Sequence, residues 1–423
     1  MRKKGVFVRI IPAIIFLAIS ALAFAKAPPQ VQKRKLYFIH LKAKNVEVRS
    51  KIANFIHIDQ LVEDSIYSVI NQVELKNIKR EIPHLIEEFH LLEEQSFEHY
   101  LDIPKYQFPK GDESFHTYNE VVSELKALAT KYPNIVQYFS IGKSLEGLDI
   151  PGIKITNKLD KKRGDMVPAI LFTGSHHARE HLSTEVPMLL LRHLIESYGS
   201  DKTITSLVDN RVIYFVPLVN PDGAMWDIYD GKYKTWRKNR RSTGAWTHGV
   251  DLNRNYSYKW GTGGSSKDHG SEVYMGPKPF SEPETKAMKK FVESISNLRI
   301  LLSFHTFSEL ILYPWGHSKY PVSGKDGEVF KKMATTMSKW NKYTPKQASG
   351  LYVASGDTCD WAYGERGIFC FTFELSPKWA WGSAGFYPGA KAIVPTFKAN
   401  IRPALYLIEH AADPHGVLDT KLL

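Results

Sequence analysis

The apolar residues of this chain fall into short runs that stop at polar residues, separated by longer stretches of helical periodicity. Pro168–Phe172 is a continuous apolar run and predicts a buried strand that stops at Gly174. Val186, Leu189, Leu190 and Leu194 then recur at helical spacing, so a helix opens near Ser183 and Glu185 and closes at Gly199. Tyr118–Tyr132 sets Val121, Leu125, Leu128 and Ala129 on one helical face, and Ile135–Ile141 and Ile150–Ile155 alternate like the arms of a hairpin. Arg211–Pro217, Ile300–Phe304 and Phe369–Phe373 read as further strands, and Asn220-Pro221-Asp222-Gly223 as a turn. Pro283–Ile295, capped by Ser281, and Val394–Ala411 read as helices. Strands alternating with helices predict an α/β domain with a largely parallel sheet.

The N-terminal part reads differently. Leu36–Leu41 is strand-like, Val46–Ile58 helical, Ser65–Val73 strand-like and Pro83–Glu94 helical, which makes a small α+β unit. Asp102–Ser114, with Pro104, Pro109 and Gly111, reads as an exposed linker. Lys105 and Lys110 there would suit a trypsin-like processing protease; an ordinary linker that is never cut is the alternative. The first 25 residues carry Arg2, Lys3, Lys4 and Arg9 before the apolar run Ile10–Ala23, and Ala23-Phe24-Ala25 is a small-x-small cleavage site. A signal peptide cut near Ala25 is expected, hence a secreted or periplasmic protein. A retained anchor is disfavoured by the short run and its Pro12, and no later segment could cross a bilayer.

Composition changes this picture little. A chain of 423 residues suits one large domain plus a small one. The formal charge of +12 falls to +8 without the signal peptide, and the surplus is not gathered into long basic runs. With no nucleic-acid motif beside it, that charge speaks for solubility rather than nucleic-acid binding. The two cysteines, Cys359 and Cys370, read as unpaired thiols despite export, with a bridge as the alternative.

Chemistry enters at the strand ends. The run ending at Gly174 is followed by His176, His177 and Glu180, and either histidine could share an ion with Glu180. Ile300–Phe304 runs into His305, and Phe369–Phe373 runs into Glu374. A sheet brings neighbouring strand ends to one point, so three strands ending in His or Glu predict a metal site.

These residues lie within motifs that follow one another in a known order: His177-Ala178-Arg179-Glu180, Asn220-Pro221-Asp222-Gly223, Trp236-Arg237-Lys238, Gly249 to Asn255, Ser303-Phe304-His305, and Asp360-Trp361 through Phe371 to Leu375. Over about residues 115 to 412 the chain resembles the zinc carboxypeptidases of the carboxypeptidase A/B type, the funnelins. The resemblance implies a mixed, largely parallel twisted sheet with helices on both faces, preceded by a small α+β prodomain. It divides the chain into a signal peptide over 1–25, a propeptide and linker over 26–110, and a catalytic domain over 111–423.

The resemblance also implies the roles. One Zn2+ per chain would be held by His177, Glu180 and His305, with Asp251 orienting the His177 ring. Glu374 would be the general base and Arg237 the oxyanion donor. Arg254 would grip the free terminal carboxylate, helped by Asn253, with the mobile Tyr352 closing over it. Arg179 would contact the residue beyond the scissile bond. Cys359 falls at the floor of the side-chain pocket and Asp357 two residues before it, so hydrophobic and basic C-terminal residues are both expected. Phe307 stands where the family often has tyrosine. The expected function is a secreted carboxypeptidase, made as a zymogen, that acts on the C-termini of peptides and proteins. Its own propeptide would inhibit it until an activating protease cuts the linker. A cell-wall peptide hydrolase for diamino acids and an inactive zinc- or peptide-binding module are the alternatives.

Overall fold

The structure is a computed structural model and describes residues 32–97, 106–159, 167–244 and 248–419. The expected signal peptide lies outside them, as do Asp102 to Lys105 of the expected linker.

The first unit contains β1 (Gln32–Lys42), α1 (Val46–Ile52), β2 (Gln60–Val62), β3 (Ser65–Asn71), α2 (Gln72–Glu81) and β4 (Ile86–Phe97). Its sheet has the order β2-β3-β1-β4 and is antiparallel throughout. Ile39, Leu41, Ile52, Ile66, Leu75 and Ile78 form its core. The helix expected over Pro83–Glu94 is instead β4. Its apolar residues Ile86, Phe89 and Leu92 sit at helical spacing, but the backbone ladder to β1 decides the conformation. The helix expected over Val46–Ile58 stops at Ile52, and residues 53–58 form a loop. The strand expected to reach Val73 ends at Asn71, which caps α2 in a reciprocal pair with Glu74.

The larger unit follows with α3 (Tyr118–Lys131), β5 (Val136–Lys143), β6 (Asp149–Ile155), β7 (Ala169–Thr173), α4 (Leu182–Ser197), α5 (Lys202–Asn210), β8 (Val212–Val216), α6 (Pro221–Asp227), α7 (Pro283–Glu293), β9 (Leu298–Thr306), β10 (Leu310–Tyr313), α8 (Gly324–Asn341), β11 (Thr344–Gln347), α9 (Thr358–Arg366), β12 (Phe369–Leu375) and α10 (Ile393–His410). Eight strands make one sheet in the order β11-β10-β12-β9-β7-β8-β6-β5. The central four, β12-β9-β7-β8, are parallel, and the flanks bring in antiparallel pairs.

Helices cover both faces, and the strand alternation shows why. Ile170, Phe172, Ile300, Leu302, Phe371 and Phe373 face a core shared with Leu125, Leu190, Phe330 and Leu407. Ala169, Leu171, Leu301 and Cys370 face a second core, shared with Met288 and Trp361. Strands buried on both faces are apolar over most of their length, and the polar residues gather toward their carboxyl ends.

Three local expectations change. The residues after Asn220 form the first turn of α6, with Asn220 Oδ1 accepting from the Gly223 N–H. The cap of α7 is Glu282, and the Ser281 hydroxyl donates to its carboxylate instead. Phe108, in the expected linker, is only 6 % exposed and packs with Phe115 against His181, whereas Lys110 is exposed.

Candidate active site

The site stands at the carboxyl ends of β7, β9 and β12. β7 stops at Gly174, where a Cβ would lie 2.0 Å from the Ser183 carbonyl oxygen, so only glycine lets the chain turn there into α4. The turn presents His177 and Glu180, both buried. Parallel pairing puts Glu374 of β12 directly beside His305 of β9, and Thr372 beside Ser303. Side chains alternate along a strand, so neighbours in register share a face.

His177, Glu180 and His305 converge. Their ligand atoms all lie within 4.8 Å of one another. Glu180 Oε1 is 2.8 Å from His177 Nδ1, Glu180 Oε2 is 3.0 Å from His305 Nδ1, and the two ring nitrogens are 3.1 Å apart. Two imidazole nitrogens and a carboxylate aimed at one point are the donor set that zinc takes, with room for a further ligand. The outward nitrogens are held as well: His177 Nε2 lies 3.1 Å from Asp251 Oδ1, and His305 Nε2 lies 3.1 Å from Ser303 Oγ. His176 turns away, to Tyr256 Oη at 3.0 Å and Thr358 Oγ1 at 3.2 Å.

Arg237 is fully buried beside this group. Its Nε and Nη2 donate to Asp251 Oδ2 at 3.1 and 2.9 Å. Its Nη1 lies 3.7 Å from Glu180 Oε1 and, among the described residues, has no hydrogen-bond partner. Burial alone would raise the Asp251 carboxyl, but Arg237 and His177 hold it well below the usual range. Burial pushes Glu374 up to about 7, against the pull of His305.

One pocket is lined by His177, Glu180, Arg237, His305 and Glu374 together with Asn253, Arg254, Tyr352, Asp357, Cys359 and Thr372. Arg254 donates through Nε to the Gly264 carbonyl and through Nη1 to the Asn253 carbonyl, both at 2.8 Å. Asn253 Oδ1 accepts from Thr358 N and Oγ1, both at 2.9 Å. Asp357 caps α9, with Oδ1 accepting from the Asp360 N–H at 2.9 Å, while its Oδ2 is buried with no hydrogen-bond partner among the described residues. Burial, then the Asp360 charge, pushes Asp357 up to about 7. Phe307 is buried edge-on against Phe386.

Two expectations need correction or qualification. Cys359 and Cys370 are not free thiols but a disulfide. The first turn of α9 packs on β12, leaving their Cα atoms 5.0 Å apart, and Cys359 Sγ sits 3.4 Å from Thr372 Oγ1. Arg179 does not line this pocket: its Nη2 donates to Asp59 Oδ1 of the first unit at 2.9 Å, and its guanidinium lies over the Phe386 ring.

Sequence reasoning expected an inhibitory first unit but missed the residues that it brings to the pocket. His57, in the loop after α1, lines the pocket, and Tyr352 packs against the first unit's core. A lone histidine and a lone aspartate in a loop carry no signal that could have found them.

Comparison with known proteins agrees with this geometry. The family model for zinc carboxypeptidases matches residues 121–402. A zinc carboxypeptidase of Saccharothrix mutabilis subsp. capreolus is 34% identical over 302 residues, 69% of this chain and 68% of the relative. Carboxypeptidase A1 of Mus musculus is 32% identical over 304 residues, 70% of each chain. The crystal structure of thrombin-activatable fibrinolysis inhibitor shares the fold over 90% of this chain and 99% of that one, with a TM-score of 0.68 at 24% identity.

Proposed function

Because the chain belongs to the zinc carboxypeptidase family and is a metallocarboxypeptidase using one zinc ion, we propose that it is exported, made as a zymogen, and removes single hydrophobic or basic residues from peptide C-termini. The observation carrying this reading is a single pocket shared by His177, Glu180, His305, Glu374, Arg254 and Asp357.

His177, Glu180 and His305 hold the metal, and Asp251 fixes the His177 ring. When bound, zinc would polarise a carbonyl and bring the pKa of a water down to about 7. Glu374 accepts the proton of the attacking water and returns it to the leaving amine. Its carboxyl lines the pocket beside the metal ligands, in place for that exchange. Arg237 Nη1, with no hydrogen-bond partner among the described residues, stands beside Glu180, in place to donate to the developing oxyanion. Arg254 binds the terminal carboxylate, Asn253 assists, and Tyr352 closes over the terminus. An internal peptide offers Arg254 no charge, so the cleft selects chain ends. Asp357 and the disulfide at Cys359 shape the pocket that reads the last side chain. Arg179 contacts the substrate beyond the scissile bond once the first unit has gone.

Residues 26–110 form the propeptide and linker, and 111–423 the catalytic domain. Support comes from the Asp59 contact to Arg179 and the seat of Tyr352 against the first unit, since both residues then face the propeptide instead of substrate. The signal peptide cut near Ala25 would export the protein; among the described residues no helix is long and apolar enough to cross a membrane. Lys110, exposed, is an accessible point for a trypsin-like protease.

The test is mass spectrometry of mixed peptides incubated with linker-cleaved protein and its Glu374→Gln variant. Single C-terminal residues should be lost from hydrophobic and basic ends, and a chelator should stop the loss. The substitution should lower kcat by about 10²–10⁴ while zinc stays bound. Trimming by the variant at the wild-type rate would remove Glu374 from this role.

A further inference from the structure

The loop after α1 does more than lie over the cleft. It carries His57 into the pocket that holds His177, Glu180 and His305. The His57 and His177 ring centroids are 6.2 Å apart, while those of His177 and His305, which face one ion, are 4.8 Å apart. His57 is not one of the donor set, and its ring stands beside that set in the same pocket.

The loop is pinned to the larger unit on both sides of His57. Asn54 Oδ1 accepts from the Gly264 N–H at 2.8 Å, the Phe55 carbonyl from Ser271 Oγ at 3.3 Å, and Asp59 Oδ1 from Arg179 Nη2 at 2.9 Å. Within its own unit Asp59 Oδ2 accepts from the Val69 N–H at 2.7 Å. The ring is thus presented from a fixed backbone. Its Nε2 lies 3.7 Å from Asp59 Oδ1, beyond hydrogen-bond length, so only the charge of that carboxylate draws the ring proton toward Nε2. With the proton there, Nδ1 is a lone-pair acceptor, and among the described residues it is buried with no hydrogen-bond partner. A buried acceptor without a partner is unfavourable unless a water or ion serves it.

We propose that in the uncut chain His57 Nδ1 accepts a hydrogen bond from the water on the metal's open position, so that the propeptide withholds the attacking water as well as covering the cleft. This rests on the zymogen reading given above. It makes His57 a latency residue that leaves with the propeptide and has no part in the mature enzyme.

The experiment uses cobalt(II) in place of zinc in the full chain, with visible absorption as its first readout. Chelator-driven release of zinc is the second. Uncut wild type, His57→Ala and His57→Gln are compared before and after linker cleavage and removal of the first unit. In uncut His57→Ala the cobalt bands should shift toward those of the cut enzyme, and zinc should leave several-fold faster. His57→Gln, which keeps an acceptor, should recover part of the wild-type behaviour. After cleavage all three should be identical. If the uncut wild type is latent but shares its spectrum and release rate with uncut His57→Ala, His57 is no partner of the metal centre and the propeptide acts by cover alone. If the uncut wild type is as active as the cut enzyme, the zymogen reading itself falls.

Discussion

At the scale of single residues, Asp357 makes the sharpest claim about what the enzyme accepts. One carboxyl oxygen caps α9 and the other is buried with no hydrogen-bond partner among the described residues. Burial and the Asp360 charge raise the group to about 7. An acid with a raised pKa carries its charge only above that value, so it attracts a basic terminus above about pH 7 and loses that pull below it. The ratio of Arg to Leu release should therefore rise about tenfold from pH 6 to pH 8, following the ionised fraction. Taking the ratio cancels any titration common to both substrates, such as that of Glu374. In Asp357→Asn the ratio should be low and flat with pH. A wild-type ratio without slope would take Asp357 out of specificity.

At the scale of elements, the disulfide between Cys359 and Cys370 bolts the first turn of α9 to the second residue of β12. That helix brings Cys359 to the pocket lining and that strand brings Glu374. Closing a loop of eleven residues restrains the unfolded chain by about 3 kcal/mol. The double variant Cys359→Ser/Cys370→Ser should lose about that much in denaturant titration, and an unchanged midpoint would refute it. This pairing was not legible in the sequence, where Cys370 reads as one more residue of an apolar strand. The central strands were legible because burial on both faces makes them apolar over most of their length. The convergence of His177, Glu180, His305 and Glu374 was legible because each follows such a strand. β4 was not: its helical spacing was overruled by pairing with β1, a partner some fifty residues away. α2 had a readable start in the Asn71–Glu74 capping pair. The places of His57 and Asp59 could not be read, since they depend on how two units dock and not on any local pattern.

At the scale of the whole molecule, that docking contains its own pH dependence. Glu74 of α2 is buried against the larger unit, where it accepts from the Glu272 N–H at 2.8 Å. Burial and then the Glu272 charge raise its carboxyl to about 8. Glu272 is itself buried but is held low by Arg34, at 2.9 Å, and by Lys238, with Arg179 and Arg237 adding to their pull. The proton the two carboxyls retain therefore sits on Glu74. Released into water, Glu74 would return toward the usual carboxyl value of about 4.3, so the docked state binds a proton that the separated state has given up. The sign follows: the contribution of Glu74 to docking is full below about pH 4.3, weakens as pH rises toward 8 and is gone above it, while the Arg34–Glu272 pair holds only where Glu272 is ionised. Residual activity of the uncut chain, divided by that of the cut enzyme at the same pH, should rise across this window. Glu74→Gln cannot ionise and should hold the ratio level. A wild-type ratio that stays level from pH 5 to pH 8, or a Glu74→Gln ratio that climbs with it, would show that this buried pair does not govern the hold of the first unit on the cleft.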